Sequence, residues 1–87
     1  MKAVITVIGK DKTGIIYKVS KILYELGVNI DDISQTVMQS YFTMLMLVSA
    51  QESTKITLLT QKLEPLREEG LSVQVQKTEI FDAMHKI

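Results

Sequence analysis

A glycine-bounded polar turn near the amino terminus contains the residue types that could do chemistry. Gly9 and Gly14 enclose the polar residues 10–13, and apolar runs precede and follow them. The two glycines have the separation found in nucleotide-binding P-loops, where a lysine and a hydroxyl residue follow the second glycine and hold phosphates and Mg²⁺. Ile15 and Ile16 occupy those two positions here. Because neither side chain can bind phosphate or metal, the sequence predicts no nucleotide chemistry at this turn.

The same turn has a simpler capacity, which is to hold one carboxylate group. The helix predicted after Gly14 begins with backbone N–H groups that have no partner within the helix, and its dipole places partial positive charge at that end. Such a helix start binds anions. Gly14 has no side chain, so a ligand could approach the helix start closely. The alternative is that Gly14 serves only the turn and the packing of the helix against the strand.

Composition argues against several classes of function. The 87 residues suit one small domain, and ten basic and ten acidic residues cancel, so no charge footprint for nucleic acid or an anionic membrane is evident. The chain has no cysteine, and His85, the single histidine, has no other metal-ligand residue at ligand spacing on its face. We therefore expect no metal site and no cofactor.

Without a coherent set of base, nucleophile and oxyanion donor, we expect no enzyme. The apolar stretch at residues 3–8 is too short for a signal sequence or a membrane span, and we expect a cytoplasmic protein.

Hydrophobic periodicity predicts the elements that position the turn. Residues 3–8 are apolar on both faces and predict a strand. Apolar residues at helical spacing over residues 15–26 predict a helix that stops at Gly27. Residues 28–38 return to strand character, but their apolar parity slips at residues 31–32, where we expect a bulge.

The second half of the chain repeats the pattern. Residues 39–40 suit a hairpin turn, and residues 41–50 are apolar at nearly every position, which is typical of a central strand. A second helix should begin near Ser53 or Thr54, either of which could cap it. Pro65 lies within this helix and should kink or interrupt it.

The resulting order, βαββαβ, predicts an α+β, ferredoxin-like fold, in which a four-stranded antiparallel sheet carries two helices on one face. The last strand, over residues 71–76, alternates strictly and follows Glu68 and Glu69, which are expected to be solvated. Residues 1–78 form the predicted domain. Residues 79–87 predict a short C-terminal helix, either part of the same domain or part of an oligomer interface. Its apolar stripe consists of Ile80, Phe81, Met84 and Ile87.

The sheet face without helices should be apolar, because the first and third strands carry apolar residues on both faces. A second copy of the chain, together with the C-terminal helix, is the simplest way to bury this face, so we expect a homodimer or higher oligomer. RNA recognition through this face is not expected, since the central strands lack aromatic platforms for base stacking.

Two short motifs in register on this order identify a family resemblance. Asp11-Lys12-Thr13-Gly14-Ile15-Ile16 and Gly27-Val28-Asn29-Ile30 resemble the first half of ACT domains, the small regulatory modules that bind amino acids. The resemblance covers residues 2–78, and the ending EIFDAMHKI is similar to that of short stand-alone ACT proteins in prokaryotes. Proline is usual at the position of Thr13 and arginine at the position of Lys12, so the turn here is less rigid.

The resemblance implies a binding mode for a small amino acid. The N–H groups around Gly14 would receive its carboxylate, Asp11 would accept from its ammonium group, and Asn29 would reach it across a dimer interface. The alternatives are that Asp11 caps the helix and that Asn29 satisfies backbone at a strand start. The ligand-binding residues that the resemblance assigns are Asp11, Lys12, Thr13, Gly14, Ile15, Asn29 and Ile30.

The predicted function is therefore a non-catalytic regulatory domain that binds an amino-acid-like ligand and reports it to a protein partner. The competing hypothesis is a structural oligomerisation or adaptor module without a ligand. The two hypotheses differ at the turn, because a cavity at Gly14 that faces Asn29 of a second copy favours sensing, whereas packed side chains there favour an adaptor.

Overall fold

The computed structural model describes residues 1–10 and 14–79. Its elements follow the predicted order and confirm the ferredoxin-like fold. Asp11, Lys12, Thr13 and the apolar stripe of the predicted C-terminal helix lie outside the described residues. The element bounds are β1 Lys2–Gly9, α1 Ile15–Glu25, β2 Asn29–Met38, β3 Tyr41–Ser49, α2 Ile56–Glu68 and β4 Ser72–Lys77.

The four strands form one sheet in the order β2-β3-β1-β4, with every neighbouring pair antiparallel. β1 lies inside the sheet and pairs with both β3 and β4. Gly9, at its carboxyl end, lies opposite Phe42, and Lys2, at its amino end, lies opposite Ser49. Since Asn29 also pairs with Ser49, β1 and β2 start at the same end of the sheet.

Both helices end in the same glycine-dependent way. After α1, the N–H of Gly27 donates to Tyr24 and the N–H of Val28 donates to Leu23, which are the two bonds of a Schellman motif. The residues after α2 repeat this pattern through Gly70. Gly27 and Gly70 have φ angles of 71° and 94°, in the left-handed region that side chains disfavour. The predicted helix stop at Gly27 is confirmed.

The core lies between the sheet and the two helices. Alternate residues of β1 and β3 point toward the helices, because successive side chains of a strand lie on opposite faces. Phe42, Met44 and Met46 of β3 are buried there against Leu23 of α1 and Leu63 of α2. The other buried members of this core are Ala3, Ile5, Val7, Ile15, Val19, Val28, Val48, Leu59, Leu66 and Val73.

The helix-free face is apolar only in part. Val4 on this face is already buried within one chain, and Leu47 is 39% exposed. Thr6 and Thr43 lie between the apolar residues and are partly exposed. Strands β1 and β3 thus carry apolar residues on both faces as predicted, but the exposed apolar area on this face is discontinuous.

The bulge and the hairpin of β2 are where the sequence predicts them. The pairing of β2 with β3 shifts register between Ile30 and Asp32, which leaves Asp31 unpaired. A two-residue turn then joins Met38 to Tyr41, and its first residue, Gln39, has φ 55°.

The structure contradicts the predicted cap of α2 and the predicted interruption of α2 at Pro65. Ser53 and Thr54 do not cap it, because Lys55 is the N-cap residue and makes no side-chain capping bond. Pro65 does not interrupt it, because the helix continues to Glu68. The exposed Pro65 removes one N–H donor from the helix, while burial of the neighbouring Leu66 holds the last turn against the sheet.

The burial of Phe42 and the exposure of Tyr24 predict that replacing each by alanine changes the free energy of unfolding by very different amounts. Phe42→Ala should lower the free energy of unfolding by about 3 to 5 kcal/mol, because it leaves a cavity under both helices. Tyr24→Ala is the matched control, since Tyr24 is 84% exposed and its loss should change the free energy by less than about 0.5 kcal/mol. Urea denaturation followed by circular dichroism measures both, and equal losses would contradict this account of the core.

Candidate functional site

The polar turn lies at the end of the sheet where β1 finishes and α1 begins. Gly14 is the N-cap residue of α1, with φ 78° and ψ −9°. Its carbonyl oxygen accepts the first helical bond from the N–H of Lys18, at 2.9 Å. A Cβ built on Gly14 would have no described atom within 4 Å. The left-handed backbone therefore requires glycine for conformational reasons, and the space beside it is open on the described side.

The first turn of α1 offers donors to an incoming anion. The N–H groups of Ile15, Ile16 and Tyr17 precede the first helical bond and have no acceptor within the helix. Among the described residues, α1 has no acidic side chain in its first turn and no side-chain cap. The helix dipole adds partial positive charge at this position. The geometry suits one carboxylate at the start of α1.

Asn29 lies at the opposite end of the sheet from Gly14. Its Nδ2 donates to Oδ1 of Asp31 at 2.7 Å, and Oγ of Ser49 donates to the same oxygen at 2.9 Å. Asn29 is thus engaged by the side chain at the bulge, and its amide oxygen accepts no hydrogen bond from the described residues. Eight residues of β1 separate the two ends of the sheet, a distance of about 23 Å. One chain cannot bring both Gly14 and Asn29 to the same small ligand.

The two isoleucines of the predicted site have different surroundings. Ile15 is buried in the core between the sheet and the helices, and it also lines a cavity beside the turn. Ile30 is half-buried, packs against the same core and pairs with Val48 of β3. The side chain of Ile30 therefore supports the sheet at the Asn29 end.

The cavity of about 580 Å³ lies beside the turn, between the end of β1, the first turns of α1 and the chain that joins α2 to β4. Its apolar lining includes Ile8, Leu71 and Tyr41. The volume falls within the range of about 300 to 1,000 Å³ that is typical of small-molecule sites. Ile15 borders this cavity, whereas Gly14 is not among the described residues that line it.

Among the described residues, three charged side chains line this cavity. Lys18 of α1 donates to Oε1 of Glu69, which follows α2, and each side chain is about half exposed. Nζ of Lys10 lies 6.0 Å from the centroid of the Tyr41 ring. Sequence reasoning missed all three charges, and it treated Glu69 as a solvated residue. No local pattern could have revealed the pair, because Lys18 and Glu69 are 51 residues apart.

Two kinds of feature are absent from the described residues. Within residues 1–10 and 14–79, no helix is long and apolar enough to cross a membrane. The same part of the chain contains no group of three or more His, Cys, Asp or Glu side chains that could hold a metal ion.

Comparisons with known proteins agree on one family. The family model described as ACT domain matches residues 2–76. A UPF0237 protein of Streptococcus mutans is 50% identical over the full length of both chains. Among solved structures, an ACT domain protein from Streptococcus pneumoniae has a TM-score of 0.82 and 47% identity, over 94% of each chain. The regulatory subunit of aspartate kinase from Thermus thermophilus has a TM-score of 0.68 and 31% identity, over 86% of this chain and 50% of that one.

The backbone at Gly14 predicts a graded response to substitution. Gly14→Ala should lower the free energy of unfolding by about 1 to 2 kcal/mol, because an L-residue is strained at this φ. Gly14→Asn is the matched variant and should cost less, since asparagine tolerates the left-handed region. Urea denaturation of the three proteins measures the difference. An alanine variant as stable as the wild type would show that the turn readjusts.

Proposed function

The chain belongs to the ACT domain family, and on that premise we propose that it is a non-catalytic regulatory module for a small amino-acid-like ligand. The ligand binds at the turn from β1 to α1 and at an interface between two copies. The observation that carries the proposal is the start of α1, which no side chain among the described residues caps, beside a glycine that needs its left-handed backbone and next to a cavity. The Thermus neighbour, named as the regulatory subunit of aspartate kinase, supports a regulatory role.

The binding mode divides the ligand between two chains. Its carboxylate accepts hydrogen bonds from the N–H groups at the start of α1, and Asp11 accepts from its ammonium group. The same site is assigned to Lys12, Thr13, Gly14 and Ile15. Because Asn29 and Ile30 of the same chain lie at the far end of the sheet, the contact from this strand must come from a second copy.

The edge of the sheet formed by β2 is the surface that we propose for this second copy. Every residue from 31 to 38 is exposed, and Val37 and Met38 are 57% and 69% exposed. The other edge, β4, is partly blocked, because Nε and Nη2 of Arg67 donate to the carbonyl oxygen of Val73. An uncovered edge strand is a template for another strand. A two-fold pairing of β2 with β2 would run antiparallel and extend the sheet across both copies.

The hairpin selects a register for that pairing. In a two-residue hairpin the residues flanking the turn form a hydrogen-bonded pair, and such pairs alternate along the ladder. The backbone groups of Ile33, Gln35 and Val37 therefore point outward, beyond the bulge at Asp31, although the N–H of Ile33 donates to Oδ1 of Asp32 at 2.8 Å. Pairing centred on Gln35 places Ile33 opposite the partner's Val37 and avoids the bulge. It also carries the partner's β2 start toward the end of the sheet where Gly14 lies.

Ligand binding tests the proposed function. We expect an amino acid to bind the wild type with a dissociation constant between about 1 μM and 1 mM, or about −8 to −4 kcal/mol, because so small a ligand gains limited free energy. Asn29→Ala should weaken binding by about 1 to 3 kcal/mol through one unmatched polar group. Gln74→Ala, an exposed amide on β4, is the control and should change nothing. Titration calorimetry measures all three, with circular dichroism to show that each is folded.

The adaptor hypothesis gains its support from the same exposed β2 edge, which could assemble copies without any ligand. If no amino acid binds the wild type below about 10 mM, equivalent to a standard free energy weaker than roughly −3 kcal/mol, sensing fails and the adaptor function replaces it.

The interface makes a separate prediction. The wild type should sediment as a homodimer or higher oligomer at micromolar concentration, and Val37→Lys should shift it toward monomer by placing a charge against the partner's Ile33. Gln74→Lys introduces the same charge on the other edge and should leave association unchanged. If Leu47→Lys dissociates the protein and Val37→Lys does not, the interface is the helix-free face of the sheet instead.

A further inference from the structure

We propose that Met38 is a site of oxidative modification, at which a peroxide converts the thioether to the sulfoxide, and that the modified residue weakens the pairing of two β2 edges. The selectivity for Met38 follows from the structure of one chain. The effect on association rests on the interface of the proposed function and goes beyond it.

Exposure separates Met38 from the methionines of the core. Met38 is 69% exposed, whereas Met44 and Met46 of β3 are 0% exposed. Met1 is partly buried and packs against the core. A peroxide must touch the sulfur to react, and a buried sulfur is reached only when the structure opens. Among the methionines of residues 1–10 and 14–79, Met38 is therefore the one that reacts first.

The alternation of side chains along β2 explains why Met38 is open to solvent. Val37 pairs with the buried Phe42 and lies on the helix side of the sheet, so Met38, the next residue, lies on the helix-free side. The neighbour of Met38 on β3 is Tyr41, which is itself 49% exposed. Since β2 is an edge strand of the described sheet, Met38 has a strand beside it on one side only. Its sulfur can be approached from the face of the sheet and from its edge.

The chemical step needs only the peroxide as co-reactant. With hydrogen peroxide, a lone pair of the Met38 sulfur attacks one oxygen, an S–O bond forms and the O–O bond breaks. The proton of the attacked oxygen passes through solvent to the departing hydroxide, which leaves as water. The sulfur loses two electrons and the peroxide gains them. The product is a polar, chiral sulfoxide, which methionine sulfoxide reductases return to the thioether.

The proposed register makes the β2 edge sensitive to this change. Pairing centred on Gln35 places Met38 opposite the partner's Asp32, in a non-hydrogen-bonded pair, where facing side chains come closest. A thioether carries little charge and buries apolar area beside the carboxylate. A sulfoxide oxygen carries partial negative charge, so it is repelled by the carboxylate and also loses water on pairing. Two-fold symmetry repeats the contact, and oxidation should favour the separated chains.

Peptide mapping tests the site of modification. The full chain is treated with hydrogen peroxide, and mass spectrometry follows the sulfoxide at each methionine over time. Met38 should be oxidised at least tenfold faster than Met44 and Met46, which are matched controls within the same chain. In urea above the unfolding transition, the three rates should converge, because the fold no longer protects the core. Equal rates in the folded protein, or rates that stay apart in urea, would overturn the assignment of the site.

Sedimentation equilibrium tests the effect on association. The dimer dissociation constant of the wild type should rise at least threefold after peroxide treatment and return after incubation with methionine sulfoxide reductases A and B and a thiol. Met38→Leu keeps the size and apolar character of the residue but removes its sulfur. This variant should associate like the wild type and should not respond to peroxide. A response that persists in Met38→Leu comes from another residue and would overturn the proposed effect.

The outcomes separate this proposal from the interface on which it rests. If Met38 is oxidised without any change in association, while Val37→Lys dissociates the protein, the effect assigned to the sulfoxide is wrong and the β2 interface stands. If neither change alters sedimentation, the β2 interface is wrong as well.

Discussion

The two-sided pairing of β1 is the constraint on which the rest of the structure depends. β1 pairs with β3 along its whole length and with β4 along six positions, so its backbone is satisfied by both neighbours. The side chains of β1 that point toward the helices are buried, and on the other face Val4 is buried as well. Because β1 and β4 are antiparallel neighbours, the end of β1 at Gly9 lies next to the start of β4. The turn into α1 and the turn out of α2 consequently meet at one end of the sheet, and the cavity lies where they meet.

Glycine then determines how closely the two turns approach. Gly9 lets Leu71 pack onto the strand, Gly14 turns the chain into α1, and Gly70 ends α2 in a left-handed conformation. Each role is different, since the first is a matter of space and the other two are matters of backbone conformation. Together they place the start of one helix and the residue after the end of the other, Glu69, on the same cavity.

Local patterns predicted what local interactions determine. The parity slip at residues 31–32 located the bulge, because a strand with one extra residue changes the face that its side chains occupy. The helix stop at Gly27 followed from conformational preference in the same way. The interruption predicted at Pro65 does not occur, because burial of the neighbouring Leu66 outweighs the loss of one N–H donor from the helix. The pair of Lys18 and Glu69 was beyond local reasoning, since the crossover of the chain alone brings the two residues together.

Because Gly14 and Asn29 lie at opposite ends of the sheet, the proposed function couples ligand binding to association of two copies. A ligand held by the turn of one copy and by the partner's Asn29 binds the assembled form better than the separated chains. Thermodynamic linkage then requires that the ligand strengthen association by the same factor by which association strengthens ligand binding. A tenfold effect on one equilibrium is a tenfold effect on the other, or about 1.4 kcal/mol. On the proposed function, the domain would in this way convert the concentration of an amino acid into a change of assembly, which a protein partner can recognise.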